Sequence, residues 1–213
     1  MKTNKYYGVL ADILNNGKRQ TNKKGGITYL LNYTLTLTPN DLLAIFDDHR
    51  IAKKKLRAEL ALFMEGEENI NRYNENGITW WDYCGNLHNS YPTYFKKLPA
   101  LVDKINKEKR SSKNYVLFLG ETGVETPQLP CLSAIQFQIE DGELVISAFQ
   151  RSSDANLGLP SDIYQLYIIS RMIELPLKSI TIFFGNVHIY DNNVEPTELM
   201  LEGHEQPTFT LNT

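Results

Sequence analysis

Cysteine and tryptophan are scarce in this chain of 213 residues, which contains two of each. The cysteines, Cys84 and Cys131, are too few for a disulfide framework, so stability must come from a packed core and a thiol is left free for chemistry. Excess positive charge is also lacking. The formal net charge of -3 argues against a general nucleic-acid-binding protein, and we expect no direct contact with nucleic acid. A small phosphorylated ligand needs only local positive charge and is not excluded.

Long apolar runs are absent as well. No window reaches the length of a membrane span, and residues 1–5 lack the apolar core of a signal peptide. We therefore expect a cytoplasmic protein with no membrane partner. The sequence has no Gly-x-Gly-x-x-Gly or P-loop pattern and no His/Cys cluster with metal-ligand spacing, so no resident metal is expected.

The residues that are present suit one globular domain over positions 1–213, since 42% of them are hydrophobic and 11% aromatic. Apolar periodicity predicts helices at 4–16, 50–65, 93–107, 161–174 and 195–202. Alternation predicts strands at 27–38, 114–119, 178–190 and 207–212, with a hairpin over 133–150 that turns at Asp141-Gly142. Residues 18–26 read as a basic loop, either simply solvated or able to bind an anion. Strands and helices intermingle without a regular βαβ rhythm, so we predict a mixed α+β domain.

Cys131 is the strongest candidate for chemistry. It follows Pro130 at the start of a predicted strand, where a side chain can face a cleft. Arg151 could favour the thiolate form of the cysteine, or it could bind a phosphate through two parallel hydrogen bonds. The alternative is a buried structural cysteine, which is common in proteins.

Three other polar positions invite a functional interpretation. His188 and Tyr190 lie two apart on a predicted strand and so point to the same face, which could be a binding surface or merely the polar edge of a sheet. Glu59 lies beside the apolar stripe of a predicted helix, where carboxylates are paired, catalytic or in contact with water. A triad of Cys131, His188 and Asp154 is conceivable, but no hydrolase signature accompanies it.

Two sequence runs are especially specific, and both lie in the second half of the chain. They are Gln150-Arg151-Ser152-x-Asp154-x-x-Leu157-Gly158-Leu159-Pro160 and Val187-His188-Ile189-Tyr190. With the cysteine after Pro130 and the stretch Ile78-Thr79-Trp80-Trp81-Asp82, they give the chain a resemblance to the thymidylate synthase family, which includes the pyrimidine nucleotide hydroxymethylases. The resemblance covers most of the chain. It implies a mixed sheet with flanking helices and a homodimer in which two sheets pack against each other.

The resemblance also implies a pyrimidine nucleoside monophosphate as substrate and 5,10-methylenetetrahydrofolate as cofactor. It assigns the attack on pyrimidine C6 to Cys131, the 5′-phosphate to Lys23, Arg151 and Ser152, and the sugar 3′-hydroxyl to His188 and Tyr190. It assigns water organisation and proton transfers to Glu59. Trp81 and Tyr91 line the site, with Trp81 toward the cofactor, and Asp154 contacts the pterin and the water network. Addition of a thiolate at C6 makes C5 nucleophilic, which splits one difficult step into two easier ones.

One departure from the family pattern concerns the base. Asp162 stands where a synthase that uses uracil has asparagine. An ionised aspartate cannot donate to O4 of uracil, but it can accept from the 4-amino group and the protonated N3 of cytosine. In this respect the site is closest to deoxycytidylate hydroxymethylase. The alternative is that Asp162 only caps the following helix.

Further departures concern Leu132, the phosphate and the end of the chain. Leu132 replaces the histidine that belongs to uracil recognition, and Lys113-Asn114 or Lys109-Arg110 lie where the family has paired arginines. We expect the chain to lack the usual C-terminal extension that closes over folate. A site without it should admit water and favour a hydroxymethyl over a methyl product, unless folate binding is itself impaired. The expected function is a (deoxy)cytidylate 5-hydroxymethyltransferase. The alternatives are methylation of a pyrimidine nucleotide and a folate-independent protein that binds a nucleotide or exchanges its C5 proton.

Overall fold

The computed structural model describes residues 4–22, 25–47, 51–204 and 208–210. Its α-helices are α1 Lys5–Asn16, α2 Pro39–Phe46, α3 Lys53–Glu65, α4 Ile70–Glu75, α5 Tyr91–Phe95, α6 Leu98–Glu108, α7 Gly158–Met172 and α8 Val194–Glu202. Its strands are β1 Lys18–Asn22, β2 Gly25–Leu37, β3 Val116–Phe118, β4 Leu132–Glu140, β5 Glu143–Gln150, β6 Ser153–Asp154 and β7 Leu177–Tyr190. Short 3-10 helices occupy Asp82–Cys84 and Asp191–Asn193. No helix in these ranges is both long and apolar enough to cross a bilayer.

The strands form one mixed sheet in the order β1-β2-β7-β5-β4-β3, and β6 pairs with β7 beyond the end of β5. β7 runs parallel to β5 and β6, whereas the other neighbours are antiparallel. The chain passes from β5 through β6 and α7 before it returns along β7, which brings the start of α7 next to the ends of β5 and β6. Helices flank this sheet, so the predicted α+β class is confirmed.

The two faces of the sheet differ in burial. Directly opposed residues on neighbouring strands share a face, so cross-strand registers define rows. The inner row is almost completely buried and consists of Leu35, Leu117, Ile135, Ala148 and Ile182. The next row faces the other way and consists of Thr34, Phe118, Ala134, Phe149 and Phe183. Its three phenylalanines are exposed, at 69% for Phe118, 45% for Phe149 and 43% for Phe183. We call this row the outer aromatic row.

Several predicted elements are confirmed, including the hairpin that turns at Asp141-Gly142, where both residues have positive φ (53° and 81°) as a tight turn of this kind requires. The predicted loop over 18–26 is wrong, because β1 and the start of β2 pair there; residues 23 and 24 lie outside the described part of the chain. The predicted helix over 93–107 is two helices, α5 and α6, and each has a proline in its first turn, where proline starts a helix.

Two further differences concern α2 and the end of the chain. α2 begins behind a capping box formed by Thr38 and Asp41, a signal that the hydrophobic pattern did not reveal. Residues 208–210 of the predicted last strand are not in a strand, and the rest of that strand lies outside the described residues. The side chain of Asn193 bonds both the N–H and the C=O of Thr210, so the segment is held by side-chain rather than ladder hydrogen bonds.

Candidate active site

Cys131 lies immediately before β4, where the strand has a register shift between Leu132 and Ala134. Its backbone is fixed on both sides. The Cys131 N–H donates to the Tyr91 hydroxyl oxygen at 2.9 Å, and its C=O accepts from the Arg151 N–H at 2.9 Å. Cys131 is only partly buried, so the thiol is not enclosed in the core. The interpretation as a buried structural cysteine therefore does not fit this position.

Arg151 reaches the same turn with its side chain. Its Nε donates to the C=O of Pro130 at 3.1 Å, and its Nη2 donates to the C=O of Leu129 at 2.8 Å. The same Nη2 lies 3.9 Å from the Cys131 Sγ. A guanidinium at this distance can stabilise a thiolate by its positive charge. The Gln128 amide adds a second donor, with its Nε2 at 4.0 Å from the sulfur.

Asp162 lies in the second turn of α7 and faces Gln150 at the end of β5. The Gln150 Nε2 donates to the Asp162 Oδ2 at 2.6 Å, and Gln150 has no solvent exposure. Burial raises the pKa of Asp162 to about 7; the charges of Glu59 and Asp154 act in the same direction, and the Gln150 hydrogen bond opposes it. Since α7 begins at Gly158, Asp162 is not at its N-cap, and the capping interpretation is wrong.

Glu59 lies on the inner side of α3 and is 3% exposed. Its Oε1 accepts from the indole N–H groups of Trp80 and Trp81, each at 2.5 Å, and its Oε2 accepts from the Gln165 side-chain amide at 2.5 Å. Burial raises the pKa of Glu59 to about 7 in spite of these three donors, which favour the ionised form. The carboxyl group therefore titrates near neutral pH, as an acid-base group should.

Asp154 and Ser152 lie between β5 and α7. The Asp154 Oδ1 accepts from the backbone N–H groups of Asn156 at 2.9 Å and Leu157 at 3.3 Å, which fixes the turn into the helix. Burial raises the pKa of Asp154, and these two hydrogen bonds oppose the rise. A Cβ placed on Gly158 would lie 3.7 Å from the Asp162 Oδ2 and 4.0 Å from the Asp154 Cβ, so both acids border Gly158. Ser152 is partly buried beside them in the chain.

His188 and Tyr190 lie near the end of β7, with their rings perpendicular and their centroids 5.0 Å apart. Burial lowers the pKa of His188 to about 4, so the imidazole is neutral at physiological pH. Its Nδ1 lies 2.9 Å from the Asn186 Oδ1, an acceptor, which assigns the proton to Nδ1. The Nε2 is then a hydrogen-bond acceptor, which suits a sugar hydroxyl.

Electrostatic interactions tie these groups to one another. The pKa of Tyr91 is raised by burial and then by the charges of Cys131 and Asp162, and that of Tyr190 is raised by burial and then by the charges of Asp154 and Cys131. The structure thus brings into one region the predicted residues Cys131, Glu59, Asp154, Tyr91, Arg151, Ser152, Asp162, His188, Tyr190 and Trp81. The remaining predicted site residue, Lys23, lies outside the described residues.

The sequence interpretation gave no site role to several residues whose side chains hydrogen-bond to the predicted ones: Gln128, Gln150, Gln165, Trp80 and Asn186. Gln150 carried a detectable signal, because it continues the inward series Leu144, Ile146 and Ala148 on β5 as its one polar member. Gln165 follows Asp162 by three residues on a helix, which puts both on one face. Trp80 is adjacent to the predicted site residue Trp81, and both indoles are only partly buried and donate to Glu59.

A family model described as thymidylate synthase matches residues 4–213 of this chain. The match includes each of the residues described above.

Proposed function

We propose a function for this chain from one premise: it belongs to the thymidylate synthase family. Members of this family transfer a one-carbon unit to C5 of a pyrimidine nucleoside monophosphate and use methylenetetrahydrofolate as its source. Our proposal is that this member is a (deoxy)cytidylate 5-hydroxymethyltransferase, with Cys131 as its nucleophile.

The contact between Gln150 and Asp162 carries the choice of base. The Gln150 amide donates to one carboxylate oxygen of Asp162, which holds the carboxyl group in place beside the cysteine turn. A carboxylate accepts hydrogen bonds from the 4-amino group and from N3–H of a cytosine adduct, whereas O4 of uracil requires a donor. By resemblance, aspartate at this position is typical of the hydroxymethylases of the family, which supports a hydroxymethyl product.

The first chemical step follows from the geometry at Cys131. The Arg151 guanidinium favours the thiolate, which adds to C6 of the base. The electron pair of the ring moves toward N3, where the carboxyl group of Asp162 stabilises the charge that develops. C5 becomes an enamine-like carbon. Glu59, with its pKa near neutral, is the group that we assign to proton transfer at the base.

The remaining residues hold the nucleotide. We assign the 5′-phosphate to Arg151, Ser152 and Lys23, because a guanidinium binds phosphate through parallel hydrogen bonds. The 3′-hydroxyl donates to the Nε2 of neutral His188, and Tyr190 contacts the same hydroxyl. Arg151 therefore serves both the sulfur and the phosphate, which couples substrate binding to activation of the thiol.

Trp81 and Asp154 are the residues that would hold methylenetetrahydrofolate. Trp81 is partly buried and lies in an aromatic cluster with Phe63, Tyr83 and Tyr91, which suits a flat ring, and Asp154 could accept from the N–H groups of a pterin. The cofactor supplies the one-carbon unit when it is bound. The chain's own residues position the base and activate C5.

The outer aromatic row supports the proposed homodimer. Phe118, Phe149 and Phe183 form an exposed apolar strip across neighbouring strands, and an exposed apolar patch of this kind marks an interaction surface. We assign the strip to a second copy of the chain, sheet against sheet. The resemblance implies that the partner subunit then contributes to the phosphate site.

Incubation of purified protein with methylenetetrahydrofolate and dCMP, CMP or dUMP tests the function. The expected result is 5-hydroxymethyl-dCMP or its ribose equivalent by mass spectrometry, without formation of dihydrofolate. Formation of dTMP from dUMP together with dihydrofolate would instead establish methylation, which is the second candidate because the matching family model is described as thymidylate synthase. Release of tritium from a nucleotide labelled at C5, in the absence of folate, would show that the protein only exchanges the C5 proton with water.

The covalent step has its own control within the chain. Cys131→Ala is expected to abolish turnover and the nucleotide adduct in a mass spectrum, since it removes the sulfur that we assign to the bond with C6. Cys84→Ala is the matched control and should retain both. An adduct that persists in Cys131→Ala would reject the assigned nucleophile.

A further inference from the structure

Two neighbouring acids in the site have unequal sets of hydrogen-bond donors. Glu59 accepts three N–H groups, from Trp80 and Trp81 on one oxygen and from Gln165 on the other. Among the described residues, Asp162 accepts one side-chain donor, from Gln150. Helices α3 and α7, which carry the two acids, pack against each other. Because Gln165 follows Asp162 by three residues, both lie on the same face of α7, and from there Gln165 donates to Glu59.

This imbalance decides which acid is ionised when the pair holds one proton. Each N–H donor stabilises a carboxylate relative to the neutral acid, and two carboxylates in one buried site repel each other. The pKa of both groups is raised to about 7, and Glu59 contributes to the rise at Asp162. The larger set of donors at Glu59 therefore favours the charge on Glu59 and the proton on Asp162. The other ionisable groups that act on the pair are Tyr73 beside Glu59, and Tyr91 and Asp154 beside Asp162, with Cys131 beyond Tyr91.

We propose that Gln165 is a positioning residue that holds Glu59 in its ionised form and thereby keeps the single proton of the pair on Asp162, ready for N3 of a cytosine base. This inference rests on the proposed function and adds a residue to it. The side-chain amide of Gln165 donates to Glu59. It acts through Glu59.

The proton on Asp162 balances the addition step. The Cys131 thiolate forms a bond to C6, and the electron pair of the C5–C6 double bond shifts to give C4=C5 while the C4=N3 pair moves to N3. N3 takes the proton of Asp162. The negative charge thus passes from sulfur to the Asp162 carboxylate, and no other reactant is needed. A neutral Asp162 also fits the free base, because its O–H donates to N3 and its C=O accepts from the 4-amino group.

The two tryptophans make the charge of Glu59 directly observable. The chain contains only these two, and both donate their indole N–H to Glu59. In protein labelled with ¹⁵N at tryptophan, two indole signals are expected, and both should shift as Glu59 titrates. The titration is recorded on the free protein and needs neither nucleotide nor folate.

The variants are Gln165→Met, which keeps the length but removes the donor, and Gln165→Glu, which keeps the shape but adds a charge. Loss of one donor to a carboxylate is expected to raise the titration midpoint by about one pH unit, or tenfold in acidity. Gln165→Glu should raise it as well, and it serves if the methionine variant does not fold. Gln20→Met, at an exposed position of β1, is the matched control and should leave the midpoint unchanged.

A midpoint that stays at the wild-type value in a folded Gln165 variant overturns the positioning role. Calorimetry with dCMP separates this outcome from failure of the proposed function. If wild type binds dCMP and the Gln165 variants bind it with a shifted pH dependence, both proposals hold. If wild type does not bind dCMP at any pH, the substrate assignment fails and the delivery of a proton to N3 fails with it, whatever the indole signals show.

Discussion

At Asp162, one oxygen in place of an amide nitrogen changes what the site can recognise. Asp162→Asn should lower kcat/KM for dCMP at least a hundredfold, because a bidentate contact with cytosine is replaced by an N–H that faces the 4-amino group. The same variant should improve binding of dUMP, since the amide can accept from N3–H and donate to O4. Steady-state kinetics with both nucleotides provides the measurement.

Asp103→Asn is the control for this substitution, since Asp103 is exposed on α6 and distant in the chain from the site. It should leave both constants unchanged. If Asp162→Asn keeps the wild-type preference for dCMP, Asp162 does not select the base, and the resemblance to the hydroxymethylases loses its physical explanation.

His188 provides a test by stability. Its pKa is about 4 in the folded state, against an ordinary value of 6.5, because burial disfavours the imidazolium. The unfolded state therefore binds the proton more tightly than the folded state. The contribution of His188 to the free energy of unfolding is highest above pH 6.5 and falls by about 3 kcal/mol as the pH is lowered from 6.5 toward 4. His188→Gln should remove this loss. Urea unfolding at pH 7 and at pH 4 measures it, as the difference between variant and wild type.

The comparison with wild type is needed because the buried carboxyl groups act in the opposite direction. The pKa values of Glu59 and Asp162 are raised, so the cost of ionising them disappears as the pH falls below 7. Wild type and His188→Gln share that contribution, so it cancels in the difference between their free energies of unfolding. His88→Gln changes an exposed histidine and serves as the control. If the stability of His188→Gln depends on pH as that of wild type does, protonation of His188 does not destabilise the folded state.

At the scale of elements, the site depends on a close approach between β7 and the segment after β5. A Cβ on Gly185 would lie 3.0 Å from the Arg151 carbonyl oxygen. Gly185→Ala should therefore push the Arg151 backbone by a few tenths of an ångström, with about a tenfold loss of nucleotide affinity because Arg151 also anchors the Cys131 turn. Gly8→Ala, on α1 with no atom within 4 Å, is the control and should raise stability slightly without any change in affinity.

The dominant elements were predictable because their residues repeat with a clear period. β7 and the β4–β5 hairpin alternate, and α7 carries its apolar face along its whole length. α2 was missed because it is short and is started by Thr38 and Asp41 rather than by a periodic run. β1 and the first residues of β2 were predicted as a loop because β1 is polar, and only pairing with β2 makes β1 a strand.

The site residues that belong to the specific sequence runs could be proposed from the sequence alone. The pairing of Glu59 with Gln165 could not be derived, because it joins positions more than a hundred residues apart in the chain, and only the packing of α3 on α7 brings them together. The same applies to Tyr91, whose hydroxyl holds the Cys131 backbone across forty residues. Such contacts are set by tertiary packing, on which local pattern carries no information.

At the scale of the whole molecule, one face of the sheet carries the buried inner row, and the other face is exposed at three phenylalanines in the described part of the chain. The outer aromatic row lies on the second face, and polar neighbours such as Thr36 and Thr181 flank it. Burial of three phenylalanine side chains between two copies would contribute several kcal/mol. We therefore expect the protein to sediment at about twice its chain mass of 24.4 kDa.

Phe149→Asp combined with Phe183→Asp should break this assembly, because each substitution would place a charge on a closely packed apolar surface, and a symmetric interface repeats the change on both sides. Sedimentation equilibrium is expected to give the chain mass. Turnover should fall together with the dimer fraction if the partner subunit completes the phosphate site, and it should recover in part at high protein concentration.

Leu43→Asp, on a leucine of α2 that is 59% exposed, is the control and should remain dimeric and active. A double variant that keeps the dimer mass would exclude this face as the interface, whereas a monomer with full activity would show that each chain holds a complete site.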